Sequence, residues 1–182
     1  MPSRLKKFSL GGQVALADFA AIAAGGVPLV FGPSARSRVL AARKCLLKAA
    51  SSGRPLYGVN TGFGELACVR VSPGDLSRLQ RNLVLSHACG IGQELDQAEA
   101  RGILFLRANE LARGFSGARP ILVELMAALI NAGVAPAIPS RGSVGASGDL
   151  APQAHMALVL IGEGAAYWRG RKASGAEVLR RC

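Results

Sequence analysis

A run of small residues, GSVGASGDL at Gly142–Leu150, is the most informative stretch of this chain. It contains an Ala-Ser-Gly tripeptide, and an apolar segment with helical spacing follows it. If the amide nitrogen of Gly148 attacks the carbonyl carbon of Ala146, a five-membered ring closes. Loss of water from that ring, and of the Ser147 hydroxyl as a second water, leaves an exocyclic methylene. The tripeptide can therefore form an electrophile, which no ordinary side chain provides.

The same stretch has simpler interpretations. A Gly- and Ser-rich segment between two helices is often only a loop. Its glycines are spaced three apart, unlike the G-x-G-x-x-G of dinucleotide-binding folds, and no Lys follows as in a phosphate-binding P-loop. The string is also close to the G-x-S-x-G elbow of serine hydrolases, but Asp149 stands in place of the last Gly. No acid and His accompany Ser147 in a triad-like order, which argues against that class.

A second glycine-rich loop, YGVNTGFG at Tyr57–Gly64, presents a phenol at its start. A tyrosine side chain can remove a proton from carbon, which is general-base catalysis. Glycine hinges suit a lid that must open to release product. The alternative is a surface tyrosine beside a turn.

A third motif, NLVLSHACG at Asn82–Gly90, contains one of the two histidines of the chain. Taken alone, His87 near a helix end is more often structural than functional. The other histidine is His155. No group of His and Cys has metal-ligand spacing, so the sequence predicts no metal site.

In their order along the chain, the three motifs resemble those of the aromatic amino-acid ammonia-lyase family. The string GSVGASGDLAP, followed by HM and then GEG, is most similar to the histidine ammonia-lyases, although Gln153 stands where that family usually has Leu. The resemblance implies a mainly α fold, the N-terminal part of the L-aspartase/fumarase-like helical fold, with short extended segments and Gly-rich catalytic loops. We expect residues 1–182 to form one region of a longer lyase, without an internal domain boundary.

The resemblance also implies a prosthetic group and a base. Family members convert Ala-Ser-Gly into 4-methylideneimidazole-5-one (MIO), which here would form from Ala146, Ser147 and Gly148. Asp149 would support it at a helix N-terminus, where backbone N–H groups stabilise negative charge. Tyr57 stands at the position of the catalytic base.

Substrate choice depends on His87, which corresponds to the residue that contacts the imidazole in histidine ammonia-lyases. Asn109, in the family-like stretch RANEL, is expected near the substrate. The implied reaction is non-oxidative deamination of L-histidine to urocanate and ammonia, with either the substrate amine or its ring adding to the methylene. Tyrosine ammonia-lyases and aminomutases can also carry His at this position. They are therefore one alternative, and a truncated, non-catalytic paralogue that binds a partner is another.

The resemblance places other parts of the enzyme beyond Cys182. These are a second Tyr, the residues that bind the substrate carboxylate, and the helical bundle that makes family members homotetrameric. We therefore expect the isolated chain to be inactive or nearly so, and to expose apolar surface.

Composition favours a helical chain outside the membrane. Half of the 182 residues are hydrophobic, only 5% are aromatic, and no apolar run reaches the length of a membrane span. The net charge of +11 is spread along the chain without interleaved aromatics, which argues against nucleic-acid binding. Asp18 and the Gly25-Gly26 break argue against a signal peptide, and the cysteines form no C-x-x-C pair. We expect a cytoplasmic protein with reduced thiols.

Apolar spacing and capping signals predict six helices. Ser72 is interpreted as an N-cap with Pro73 at the first helical position, and Asp96 with Glu99 as a capping box. The second helix is expected to carry Val39, Leu40, Leu46 and Leu47 on its apolar side. The predicted helices cover residues 14–24, 33–53, 73–89, 97–111, 120–130 and 149–161, with extended pieces at 8–13, before the GSVGASG loop and at 167–168.

Overall fold

The structure, a computed structural model, describes residues 6–143, 148 and 150–182. Helices dominate it, which confirms the predicted mainly α fold. The helices are α1 (Leu16–Ala23), α2 (Pro33–Ser51), α3 (Leu76–His87), α4 (Gln97–Ala112), α5 (Pro120–Asn131), α6 (Leu150–Leu160) and α7 (Gly175–Arg181). The strands are β1 (Phe8–Ser9), β2 (Leu29–Val30), β3 (Ile91–Glu94), β4 (Ala135–Pro136), β5 (Pro139–Arg141), β6 (Ala165–Trp168) and β7 (Arg171–Ser174).

Helix α4 lies at the centre of the packing, where it contacts α1, α2, α5 and β4. The predicted capping box is present at its start. The Asp96 carboxylate accepts a hydrogen bond from the Glu99 amide (2.8 Å), and the Glu99 carboxylate accepts one from the Asp96 amide (2.9 Å). Two backbone N–H groups at the start of the helix, which would otherwise lack a partner, thereby gain an acceptor, and this fixes where α4 begins.

Aromatic packing joins the N-terminal elements to α4. The fully buried ring of Phe105 meets Phe8 edge-on, with ring centroids 5.3 Å apart, and lies 6.3 Å from the ring of Phe19. Gly102 allows this approach, because a Cβ there would lie 2.9 Å from Cζ of Phe19. Strand β1 and helix α1 are thus packed on one face of the central helix.

The strands form three small sheets. Strands β1 and β2 are parallel, β3 and β5 are antiparallel, and β4, β6 and β7 form an antiparallel meander. In the second sheet, Ile91 lies opposite Arg141 and Glu94 lies opposite Pro139. Because this pair is antiparallel, the start of β3 lies beside the end of β5. The segment after α3 therefore meets the segment that enters the GSVGASG loop.

Helix α3 begins later than the sequence predicted. The residues after Ser72 form a turn, and the helix starts at Leu76. The Ser72 hydroxyl donates to the Asp75 carboxylate (2.7 Å), whereas an N-cap hydroxyl would accept a hydrogen bond from a backbone amide of the first helical turn. The predicted N-cap at Ser72 and first helical position at Pro73 are therefore wrong. Strand β3 was not predicted at all.

Helix α2 has the predicted extent, but part of its apolar face is uncovered. Val39 is buried, whereas Leu40 and Leu47 are 50% and 52% exposed. The described part of the chain therefore covers the predicted apolar side at Val39 and leaves it half-exposed at these two leucines. All four cysteines have exposed, free side chains. No helix in the described part of the chain is long and apolar enough to cross a membrane.

Replacing Phe105 by Ala should lower the free energy of unfolding by about 3–5 kcal/mol, because the substitution leaves a cavity beside α4. Phe115→Ala is the matched control, since that ring is 86% exposed, and it should change stability by no more than about 0.5 kcal/mol. Urea unfolding followed by circular dichroism measures both. Equal losses for the two variants would contradict this account of the core.

Candidate active site

The Tyr57 loop presents its phenol to solvent. The Tyr57 side chain is 64% exposed, and its ring meets Phe63 edge-on with centroids 5.7 Å apart. The amide of Gly64 donates to the phenol oxygen over 3.4 Å. The predicted base is therefore accessible to a small molecule, with one backbone donor beside its oxygen.

Asn60 folds this loop on itself. Its side-chain oxygen accepts from the amide of Leu56 (2.7 Å), and its side-chain nitrogen donates to the carbonyl of Arg54 (2.9 Å). A further hydrogen bond, from the side chain of Gln80 to the carbonyl of Gly58 (3.1 Å), ties the loop to α3. The loop that carries Tyr57 is thus attached to the helix that carries His87.

His87 is the last residue of α3. Its Nδ1 lies 2.8 Å from the carbonyl oxygen of Leu83. Because a carbonyl only accepts hydrogen bonds, Nδ1 carries the hydrogen, and Nε2 of the neutral ring is then an acceptor. The helix end thus presents an acceptor nitrogen in a defined tautomer.

Gly90 and Gly142 bring the segment after this histidine against the start of the GSVGASG loop. A Cβ on Gly142 would lie 3.1 Å from Cα of Gly90 and 3.0 Å from Cβ of Ala151. The described residues that flank positions 143–150, which we call the MIO loop after the group that the resemblance implies, therefore lie in contact. Fully extended, eight residues would span about 26–29 Å. Because Gly142 and Ala151 lie in contact, the two ends of the MIO loop are much closer together than that.

The tripeptide itself is only partly described. Ala146, Ser147 and Asp149 lie outside the described residues. Gly148 has a φ of +117°, a conformation that residues with a Cβ rarely adopt. A closed loop and a glycine at this position fit the requirement of cyclisation, which needs the Gly148 nitrogen close to the Ala146 carbonyl.

His155, on α6, holds the segment that follows His87. Its Nε2 accepts a hydrogen bond from the amide of Gly90 (3.1 Å). Burial lowers the pKa of the His155 ring, and the negative charge of Glu94 opposes this shift. The sequence offered His155 only as part of a family-like string, without a role. A side chain that accepts from a backbone amide 65 positions away has no local signature.

Asn109 is buried in α4, and its amide already has two partners. Its oxygen accepts from the amide of Gly11 (2.7 Å), and its nitrogen donates to the carbonyl of Gly12 (3.0 Å). These contacts hold the N-terminal turn on the central helix. The structure therefore links the Tyr57 loop, His87 and the MIO loop to one another, whereas it engages Asn109 elsewhere.

Two side-chain contacts hold α6 in place. Gln153, at the position where the sequence departs from the family pattern, accepts from Arg107 Nε of α4 (3.0 Å). Beyond the end of α6, Glu163 accepts from Arg81 Nε of α3 (2.8 Å). Within residues 6–143, 148 and 150–182, no group of three or more His, Cys, Asp or Glu side chains is placed to hold a metal ion.

Because burial depresses the pKa of His155, the unfolded chain binds this proton more readily than the folded one. The stability that the neutral ring contributes is complete above the unfolded pKa of about 6.5 and is lost as pH falls through the lower folded value. The free energy of unfolding should therefore decline below pH ~6.5 more steeply in the wild type than in His155→Gln. Urea unfolding across a pH series, with an NMR titration of the ring, measures this; a His155 pKa above the ordinary value would contradict it.

Known proteins are similar to this chain in sequence and in architecture. The sequence model of the family described as "Aromatic amino acid lyase" matches residues 14–182. A histidine ammonia-lyase from Stigmatella aurantiaca is 48% identical over 171 residues, which are 94% of this chain and 34% of that protein. The chain spans about a third of the length of the curated relatives it matches.

Two solved structures have the same fold over nearly the whole chain. Tyrosine aminomutase from Streptomyces globisporus is 35% identical with a TM-score of 0.86, over 96% of this chain and 33% of that one. Histidine ammonia-lyase from Trypanosoma cruzi is 33% identical with a TM-score of 0.83, over 95% of this chain and 33% of that one. The predicted resemblance and the predicted fold are confirmed, and the chain belongs to the aromatic amino acid lyase family.

Proposed function

We propose that these residues are the N-terminal part of a histidine ammonia-lyase, which deaminates L-histidine non-oxidatively to urocanate and ammonia in histidine catabolism. The observation that carries the proposal is the contact of Gly90 with Gly142, because it joins the segment after His87 to the closed MIO loop. The 48% identity to a histidine ammonia-lyase over nearly all of the chain supports this substrate.

The prosthetic group of the proposed enzyme is MIO, formed without a metal from Ala146, Ser147 and Gly148. The closure of the MIO loop and the φ of Gly148 support this, since both favour a tight backbone turn at the tripeptide. Asp149 precedes α6 in the sequence, and the unpaired amides of a helix start would stabilise negative charge that develops on the group. Once formed, the group supplies an electrophilic methylene that makes the substrate's amino group a better leaving group.

The side chains of the chain divide the remaining work. Tyr57 removes a proton from the β-carbon; the electrons of that C–H bond form the α,β double bond, and the C–N bond breaks with its electrons leaving on nitrogen. His87 recognises the imidazole, because its Nε2 can accept the single N–H of a neutral imidazole ring. The Tyr57 loop, exposed and rich in glycine, admits the substrate and covers it.

The complete enzyme of this proposal is a cytoplasmic homotetramer that acts on a small amino acid. Its carboxylate-binding residues follow Cys182, so the isolated 182-residue chain does not turn over histidine at a useful rate. The exposed leucines of α2 are consistent with a face that further protein covers.

A tyrosine ammonia-lyase or aminomutase is the main competing function. The solved structures do not separate the two, because a tyrosine aminomutase and a histidine ammonia-lyase are similarly related to this chain. The curated relatives favour histidine, and product analysis with histidine and tyrosine as substrates decides. A non-catalytic paralogue would give no product from either.

In the complete subunit, Ser147→Ala should reduce urocanate formation to the uncatalysed background, because Ala has no hydroxyl to lose and the methylene cannot form. Ser37→Ala, on an exposed position of α2, is the matched control and should keep wild-type activity. Urocanate is measured by its absorbance. Wild-type turnover by the Ser147 variant would exclude the proposed electrophile. If neither the wild type nor the variant forms urocanate, and both bind a partner protein equally well, the non-catalytic paralogue is favoured.

Tyr57→Phe should lower kcat by about 10²–10⁴-fold, the usual contribution of a general base. The mass of the peptide that carries residues 146–148 should stay as in the wild type, since Tyr57 is not needed to form the ring. The control is Tyr167→Phe, at the other of the two tyrosines, where Lys172 still holds Glu94. A Tyr57 variant with wild-type kcat would assign the base to another residue.

A further inference from the structure

Gly90 makes an unusual set of contacts for a residue at the start of a strand. Its amide donates to a side chain, His155 Nε2, and not to the facing strand. A Cβ on Gly90 would lie 3.2 Å from the carbonyl oxygen of Arg141 and 3.2 Å from Cβ of Pro139. Its backbone is therefore enclosed between β5 and α6, with the His155 ring as the hydrogen-bond partner.

His155 is connected to both ends of the MIO loop. It lies on α6, the helix that begins at the downstream end of the loop. Through Gly90 it reaches the upstream end, because Gly90 packs on Gly142. The hydrogen bond from Gly90 to His155 therefore connects the two described ends of the loop, because Gly90 packs on Gly142 and His155 lies on α6.

The chemistry of the imidazole makes this bond specific. Nε2 can accept from an amide only when it carries no hydrogen, so the ring must be neutral with its hydrogen on Nδ1. A protonated ring would set two donors against each other. An apolar side chain of similar size would leave the Gly90 amide without a partner, at a cost in free energy.

We propose that His155 is a positioning residue, which holds the Gly90 amide and so keeps the segment after His87 and the two ends of the MIO loop together, as ring formation needs. This inference rests on the proposed function for its chemistry. The hydrogen bond it invokes can be measured independently of that function.

The other end of β3 is held separately. Glu94 accepts from the hydroxyl of Tyr167 (2.7 Å) and from the ammonium group of Lys172 (2.6 Å). These contacts anchor β3 to the β6–β7 hairpin without His155. Loss of the His155 acceptor should therefore loosen Gly90 and leave the register of β3 intact.

The test compares His155→Leu with His155→Gln in the complete subunit and in this chain. Leu removes the acceptor, whereas the side-chain oxygen of Gln can accept from the same amide. Met156→Leu is the matched control, a buried, volume-conserving change on the same helix. The readouts are the exchange rate of the Gly90 amide by NMR and the fraction of the Ala146–Gly148 peptide that is lighter by two waters.

His155→Leu should speed exchange of the Gly90 amide by roughly tenfold, as expected for one lost hydrogen bond, and should slow ring formation. His155→Gln should restore both toward the wild type, and Met156→Leu should change neither. The proposal is overturned if His155→Leu matches the wild type, or if His155→Gln is as defective as His155→Leu. If the wild-type complete subunit forms no ring, the proposed function fails, and the Gly90 exchange rates still decide whether His155 holds this segment.

Discussion

One steric constraint, the close contact of two glycines, holds the candidate site together. Gly90 and Gly142 approach so closely that a methyl group on Gly142 would lie 3.1 Å from the Gly90 backbone and would also meet Ala151. This contact sets the end of α3 beside the MIO loop and closes that loop. One packing arrangement thereby holds both the segment after His87 and the two described ends of the MIO loop.

The rest of the fold holds this contact in place. The central helix α4 anchors α6 through Arg107 and Gln153, which lie 3.0 Å apart, so the downstream end of the MIO loop is fixed to the core. The pairing of β3 with β5 fixes the upstream end. In contrast, the Tyr57 loop is attached by one side-chain hydrogen bond to α3 and is exposed. This division would suit the proposed catalysis, since an electrophile needs a rigid frame and a lid must move.

Local signals in the sequence predicted the helices, but contacts between distant residues were beyond them. The capping box at Asp96 is predictable because its partners are three residues apart, whereas the Ser72 hydroxyl, predicted to cap a helix, pairs with the carboxylate of Asp75. Strand β3 reads IGQE, without apolar alternation, and forms through pairing with a segment more than forty residues later. The burial of Leu40 and Leu47 depends on what covers their face, which periodicity cannot report. His155 belongs to a family-like string, but its role as a hydrogen-bond acceptor follows only from the position of Gly90 in the fold.

In the proposed function, the elements that hold the ends of the MIO loop serve to make an electrophile from the backbone. The most direct measurement is a peptide map of the complete protein from its natural source, with the mass of the fragment that spans Gly142–Leu150. The account predicts a fragment lighter by two waters in a subunit much heavier than the 18.8 kDa of this chain. A fragment of unmodified mass, with the Ser147 hydroxyl intact, would contradict it and would leave the closed loop without its proposed chemistry.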